Sequence, residues 1–179
     1  YNCLMNQSSD SLGVYKYCPN CKSDLTLQDI DGEKIKRCDS CGFIFWNKSK
    51  PVVSILLHKE EKILMLQRSS EPFKNYWVLP GGFVKSQETA EEAIKREARE
   101  EIGTDVDPEQ IIGTYLIDND PRGVHLDIIF SGQTKGEIKL SKEDKNWQYF
   151  SLDNLPENIA YKHRNAINDW NEKIKSQKL

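Results

Sequence analysis

Residues 82–103 read GFVKSQETAEEAIKREAREEIG, and the spacing of glutamates and glycines in this stretch decides both the fold class and the chemistry of the chain. Thr89 with Glu92 three residues on forms a capping box, and Gly103 past the periodic segment supplies a left-handed stop, so a helix is expected over Thr89–Ile102. Ile94, Ala98 and Ile102 recur at every fourth position, a narrow apolar stripe suited to packing on a sheet. Glu97, Glu100 and Glu101 are related by steps of three and four, which places three carboxylates on one face within about one turn.

Like charges so placed destabilise a helix by a few tenths of a kcal/mol per pair, and the alternation of Glu92, Arg96 and Glu100 at steps of four offsets only part of it. A divalent cation removes the conflict. Hard oxygen ligands suit Mg²⁺ or Mn²⁺, which commonly take one or two carboxylates, several waters and the phosphate oxygens of a substrate. The plain alternative for a glutamate-rich helix is a solvated face.

Working outward, Val52–Leu57 and Ile63–Leu66 read as two buried strands joined by a charged turn, a hairpin at the centre of a sheet. Leu79-Pro80-Gly81-Gly82 breaks the chain before the helix. Further strands are expected around Ile111–Ile117, Leu126–Phe130 and Trp147–Phe150, and a second helix from about Ala160 to Lys175. Two helices against a mixed sheet make an α/β (α+β) domain. The chain has 179 residues, 37% hydrophobic and 30% charged, enough for one ordinary domain with a small appendage. Its net charge of −3 lacks the basic excess of a dedicated nucleic-acid binder, so nucleic acid is not the favoured partner. No apolar run approaches membrane-spanning length and no secretory layout opens the chain, so a cytoplasmic location is expected.

Ahead of Pro51 the pattern differs. Residues 1–14 are polar and aperiodic, a loose leader. Residues 15–47 are built around Cys18-Pro19-Asn20-Cys21 and Cys38-Asp39-Ser40-Cys41, with Asp31-Gly32 marking a hairpin turn between the pairs. Two Cys-x-x-Cys pairs at this separation bring two knuckles around one tetrahedral metal, and four thiolates suit Zn²⁺. A segment this short has too little core to fold without such a staple. A closed four-thiolate site leaves no position for substrate, so the zinc is expected to be structural. Phe43, Phe45 and Trp46 are candidates for a contact surface or for the seam to the next domain.

The glutamate segment closely resembles the Nudix box: a glycine, five residues, a glutamate, seven residues, then Arg-Glu-apolar-x-Glu-Glu-x-Gly-apolar. Gly82, Glu88, Arg96, Glu97, Glu100, Glu101 and Gly103 fall on its fixed positions; Ala98 is smaller than usual and Thr104 replaces the closing apolar residue. The resemblance implies an α/β/α sandwich over residues 48–179, with a zinc ribbon over 15–47. It implies Glu97, Glu100 and Glu101 as ligands of Mg²⁺ or Mn²⁺, with the Gly82 carbonyl as a further candidate. Arg96 would orient the glutamates and Glu88 would stabilise the loop. Metal-activated water would attack a pyrophosphate, a carboxylate taking its proton; Glu100 is the first choice, with Glu97, Glu101, Glu137 and Glu143 open. Arg68 is placed to reach a phosphate in similar proteins, or is solvated; Trp77 is a packing residue or a stacking platform.

A zinc ribbon directly ahead of such a domain resembles the NADH pyrophosphatase family, but that family's Ser-Gln-Pro-Trp-Pro-Phe-Pro segment has no counterpart between Thr104 and Phe130. Asp120-Pro121-Arg122-Gly123-Val124-His125 is instead similar to the Asp-Pro-Arg-Gly-His loop of ADP-ribose pyrophosphatases, with Val124 intruding. ADP-ribose is therefore the favoured substrate, then FAD or NADH, with Arg122 a candidate for pairing to a phosphate. The competing expectations are a nucleotide-sensing or RNA-binding relative, and an enzyme that clears damaged nucleoside triphosphates. Family members often form homodimers.

Overall fold

The computed structural model describes residues 15–141 and 144–177. The expected leader and Glu143 lie outside the described residues. The chain divides between Ser49 and Lys50 into two compact units.

In the first unit, β1 (Thr26–Ile30) and β2 (Glu33–Arg37) form an antiparallel hairpin, and β3 (Ile44–Phe45) adds to β2. The turn falls on Asp31 and Gly32, both with positive φ (54° and 82°), as the tight hairpin twist requires. The two cysteine pairs sit in matching knuckles. Cys18 N donates to Ser23 O and Lys22 N to Cys18 O, while Cys38 N donates to Phe43 O and Gly42 N to Cys38 O, at 2.8–2.9 Å throughout.

In the second unit the strands are β4 (Lys50–Lys59), β5 (Lys62–Arg68), β6 (Trp77–Val78), β7 (Gly81–Phe83), β8 (Val106–Ile117), β9 (His125–Thr134) and β10 (Asp144–Ser151). The helices are α1 (Ala90–Ile102) and α2 (His163–Gln177). The main strand order is β10-β5-β4-β9-β8, with β4 and β9 parallel and the other neighbours antiparallel. The expected central hairpin is present, yet β4 and β5 pair only at His58↔Ile63 and Lys59↔Lys62. Beyond that tip they part. The returning chain lays β6 on β5 and β7 on β4, and Ile55 N donates to Pro80 O at 2.9 Å. The glycines ahead of α1 are thereby set into the split between two central strands.

Alternation along the central strands sends side chains to two cores. Val53, Ile55, Leu57, Leu64 and Leu66 face α1 and its Ala93, Ile94, Ala98 and Ile102. Leu56, Ile63 and Met65 face α2 and its Ala166, Ile167 and Trp170. Burying each such aliphatic side chain contributes about 1.5–3 kcal/mol, so the two helices are held mainly by their apolar stripes. This is the α/β/α sandwich with a mixed sheet that the sequence predicts. Trp77 lies in the α2-side core and meets Phe150 edge to face at 4.7 Å, a packing residue.

Boundaries differ in two informative places. β8 begins at Val106, ahead of the expected Ile111, because Asp107, Glu109 and Gln110 lie on an exposed sheet edge where polar residues hide the strand signal. α2 begins at His163, past the expected Ala160, because Tyr161 is left-handed (φ 57°) and interrupts helical geometry.

Candidate active site

α1 starts where the sequence says it should: Thr89 is the N-cap, its side chain accepts from Glu92 N, and the Glu92 carboxylate accepts from Thr89 N at 2.8 Å. Those hydrogen bonds hold the Glu92 carboxyl below its usual range. Gly103 caps the other end at φ 65°. With the helix so placed, Arg96 becomes the hub of the acidic face. Its Nε and Nη2 donate to the two oxygens of Glu88 at 2.9 and 2.6 Å, its Nη1 to Glu97 Oε1 at 2.7 Å and Glu100 Oε2 at 2.9 Å, and Nη2 also to Phe83 O at 3.0 Å. The Arg96 guanidinium holds the Glu88 carboxyl down at about 2. Glu97 is shifted the other way, because burial outweighs the pull of Arg96.

Glu97 and Glu100 thus share one cation, whereas Glu101 turns to the loop and accepts from Gly81 N at 2.9 Å. The three carboxylates stand on one helix face, two of them bonded to Arg96 and the third to the loop. A Cβ at position 82 would lie 2.5–2.7 Å from the Glu97 carboxylate atoms, so a larger residue there would displace that carboxylate. A Cβ at Gly81 would lie 2.1 Å from Val53 O. At Gly82 the backbone of β7 therefore lies against the Glu97 carboxylate, and at Gly81 against the backbone of β4. The three glutamates do not bring their oxygens within 4.8 Å of one another as a group, but carboxylate oxygens are the hard donors that Mg²⁺ or Mn²⁺ takes.

A cleft of about 560 Å³, open mouth included, runs from this point along β4 and β9. Gly81, Gly82 and Glu101 line one end, and both Arg68 and Arg122 line it as well, so two arginines 54 residues apart meet in one space with the glutamate helix. Arg68 donates through Nε to Pro72 O at 2.8 Å and lies over the Tyr161 ring at 5.9 Å. Arg122 grips Asp120 through Nε and Nη2, donates to the Tyr161 hydroxyl at 3.1 Å, and lies 5.4 Å from the Phe83 ring centroid. Burial alone would raise the Asp120 carboxyl, but the hydrogen bonds from Arg122 outweigh it and hold it low. Burial pushes the His125 imidazole down, against the pull of the neighbouring Asp120 carboxylate. Of the later candidates, Glu137 is exposed and does not line the cleft.

Four cleft residues escaped the sequence reading altogether: Ser54, Asp127, Tyr161 and His163. Asp127 and Ser54 carried a faint signal, polar residues inside otherwise apolar strand runs.

In the first unit, the Sγ atoms of Cys18, Cys21, Cys38 and Cys41 all lie within 4.8 Å of one another, and none forms a disulfide. Hydrogen bonds to Ser23 hold the Cys21 thiol below its usual range, whereas at Cys41 the backbone bond from Phe43 is outweighed by the bonds to the other three cysteines, which push the thiol up. Among the described residues no helix is long and apolar enough to cross a membrane.

A split central hairpin, a capped glutamate helix against a Gly-Gly strand and an arginine-lined cleft together define a phosphate-handling α/β/α domain. The chain belongs to the Nudix family: the NUDIX domain profile matches residues 48–170. It is 39% identical over 124 residues to an ADP-ribose pyrophosphatase of Methanocaldococcus jannaschii, covering 67% of this chain and 73% of that one. It is 29% identical over 160 residues to the NAD-capped RNA hydrolase NudC of Pseudomonas aeruginosa, covering 86% of this chain and 55% of that one, so it spans about half the length of that relative. A NUDIX hydrolase from Nitrosomonas europaea superposes with a TM-score of 0.73 at 22% identity, over 87% of this chain and 88% of that one. The NUDIX domain of Shewanella oneidensis NrtR, solved with ADP ribose, superposes with a TM-score of 0.60 at 21% identity, over 72% of this chain and 90% of that one.

Proposed function

We propose that this chain hydrolyses the pyrophosphate bond of a nucleoside-diphosphate compound, ADP-ribose before FAD or NADH, with Mg²⁺ or Mn²⁺ at Glu97, Glu100 and Glu101. The observation that carries the reading is the meeting of Glu101, Gly82, Arg68 and Arg122 in one cleft. Two arginines in one cleft with Glu101, whose helix face also carries Glu97 and Glu100 outside the cleft lining, suit a bridged diphosphate: the arginines would pair with its charge, and the glutamates would hold divalent ions against it. When bound, such ions neutralise phosphate charge and lower the pKa of an attacking water. Arg96 positions Glu97 and Glu100, and Gly82 admits Glu97 to the loop. Glu100, the most exposed of the Arg96-bound carboxylates, is best placed to exchange a proton with water. The relative named for ADP-ribose supports the choice of substrate.

In the first unit, the four thiols would hold one structural Zn²⁺. Thiols kept for metal fit a reducing compartment such as the cytoplasm.

NAD-capped RNA is a second reading. The 160-residue match to NudC is longer than the unit from Lys50 to Leu179, so it extends into the cysteine unit.

The test is to incubate the protein and a Glu100→Gln variant with Mg²⁺ and separate the products from ADP-ribose, NADH, FAD, nucleoside triphosphates and NAD-capped RNA. Release of AMP from ADP-ribose by wild type, with a loss of about 100-fold or more in the variant, is the expected result. Absence of cleavage with either metal leaves the sensor reading, and preference for capped RNA selects the second.

A further inference from the structure

The inner end of the cleft carries a buried polar cluster that the glutamate helix does not use. Asp127 on β9 is 1% exposed and faces the cleft together with Ser54 and His163. Its Oδ2 accepts from Ser54 Oγ at 3.0 Å and lies 3.3 Å from His163 Nε2. The tautomer of His163 follows from its other nitrogen. Nδ1 accepts from Leu79 N at 2.9 Å, so the ring proton sits on Nε2 and points to the carboxylate. Two donors are therefore committed to Oδ2. Oδ1 is buried and has no hydrogen-bond partner among the described residues. The arrangement is not a nucleophilic triad: the serine and the carboxylate meet the same nitrogen of the imidazole, Nε2, and the far nitrogen is held by backbone.

A buried acceptor held rigidly by two donors, with one oxygen left over, is suited to a ligand that brings a hydrogen. The walls around it narrow the ligand. Val52, Val78, Leu79 and Ile117 are apolar, and Phe83 and Tyr161 are aromatic. Tyr161 holds a left-handed backbone (φ 57°), a strained geometry that tends to persist at ligand sites. His125, also buried, has its Nε2 3.5 Å from the Asp120 carboxylate and its Nδ1 without a hydrogen bond among the described residues. Flat apolar walls with a polar end suit a planar base more than a sugar. A phosphate would meet the Asp127 carboxylate as a like charge, and belongs at the arginines.

We propose that Asp127, positioned by Ser54 and His163, is a specificity-determining residue whose Oδ1 accepts a hydrogen bond from the exocyclic amine of the substrate's nucleobase. The proposal rests on the pyrophosphohydrolase reading and names the base-reading group of that site. Replacing adenine by hypoxanthine exchanges the amine for a carbonyl, which would set two acceptors against each other.

The experiment compares ADP-ribose with inosine diphosphate ribose, by kcat/KM in Mg²⁺ and by equilibrium binding to the full chain without turnover. Wild type is expected to favour the adenine compound by at least about 100-fold, because a site built for a donor is left unpaired by the analogue. Asp127→Asn, which can offer an amide N–H, is expected to lose at least about tenfold of that ratio while kcat on the better compound changes less than the ratio does. Equal use of the two compounds by wild type overturns the proposal and assigns the donor to a ribose hydroxyl. An unchanged ratio in a folded Asp127→Asn variant overturns it too. If neither compound is cut, the pyrophosphohydrolase reading fails, and the binding preference alone decides the role of Asp127. The wild-type comparison stands even where the variant does not fold.

Discussion

Replacing Arg96 by methionine keeps most of the aliphatic stem and removes the hub of the acidic face. The guanidinium, 18% exposed, bonds Glu97 (14% exposed) and Glu100 (51% exposed), as well as Glu88. A charge-assisted hydrogen bond to a largely buried carboxylate such as Glu97 contributes about 1.5–3 kcal/mol, whereas the exposed Glu100 pair adds less than about 1 kcal/mol. Loss of the Glu97 and Glu100 bonds alone therefore costs about 1.5–4 kcal/mol. For a chain of this size that corresponds to a fall in Tm of roughly 3–16 °C. The second unit should unfold earlier in a thermal melt followed by circular dichroism, with the cysteine unit unaffected. Millimolar Mg²⁺ should recover part of the loss, because a cation bound to the folded acidic face replaces the missing charge and stabilises by mass action. A Tm within about 2 °C of wild type in metal-free buffer, below the smallest shift that this cost allows, would refute the argument that Arg96 is what holds these carboxylates together.

Other parts of the molecule make their own demands. Metal analysis should find one zinc per chain, and Cys38→Ser should abolish it and expose the remaining thiols to a colorimetric thiol reagent, while the melt of the second unit is retained. Thr89→Ala removes the N-cap of α1 and should cost about 1 kcal/mol by chemical denaturation. The same helix end should respond to acid. The folded-state pKa of Glu92 lies below its ordinary 4.5, so its contribution is present above that value and is lost as pH falls through the folded one. Glu92→Gln should therefore narrow the difference in stability between pH 7 and pH 3, and an unchanged difference counts against the capping box.

What could be read along the chain was local. The helix over the glutamates declared itself because its cap, stop and apolar stripe repeat within a few residues, and because Glu97, Glu100 and Glu101 share a face through helical spacing alone. The cysteine knuckles were legible for the same reason. Their turns close within five residues, and Asp31-Gly32 sets the hairpin between them. Arg68 stands out by its place at the end of a strand and Arg122 by its loop motif, but nothing in their neighbourhoods says that they meet. That meeting comes from the split of β4 from β5 and from the crossover that lays β9 parallel to β4, pairing Val52 with Asp127. Ser54, Asp127 and His163 come together across 109 residues by that register, and a one-residue slip would turn Asp127 to the opposite face of the sheet. Periodicity encodes which face of an element is apolar. Which two elements share that face is decided by strand pairing between distant segments, whose closure depends on the packing of both cores at once.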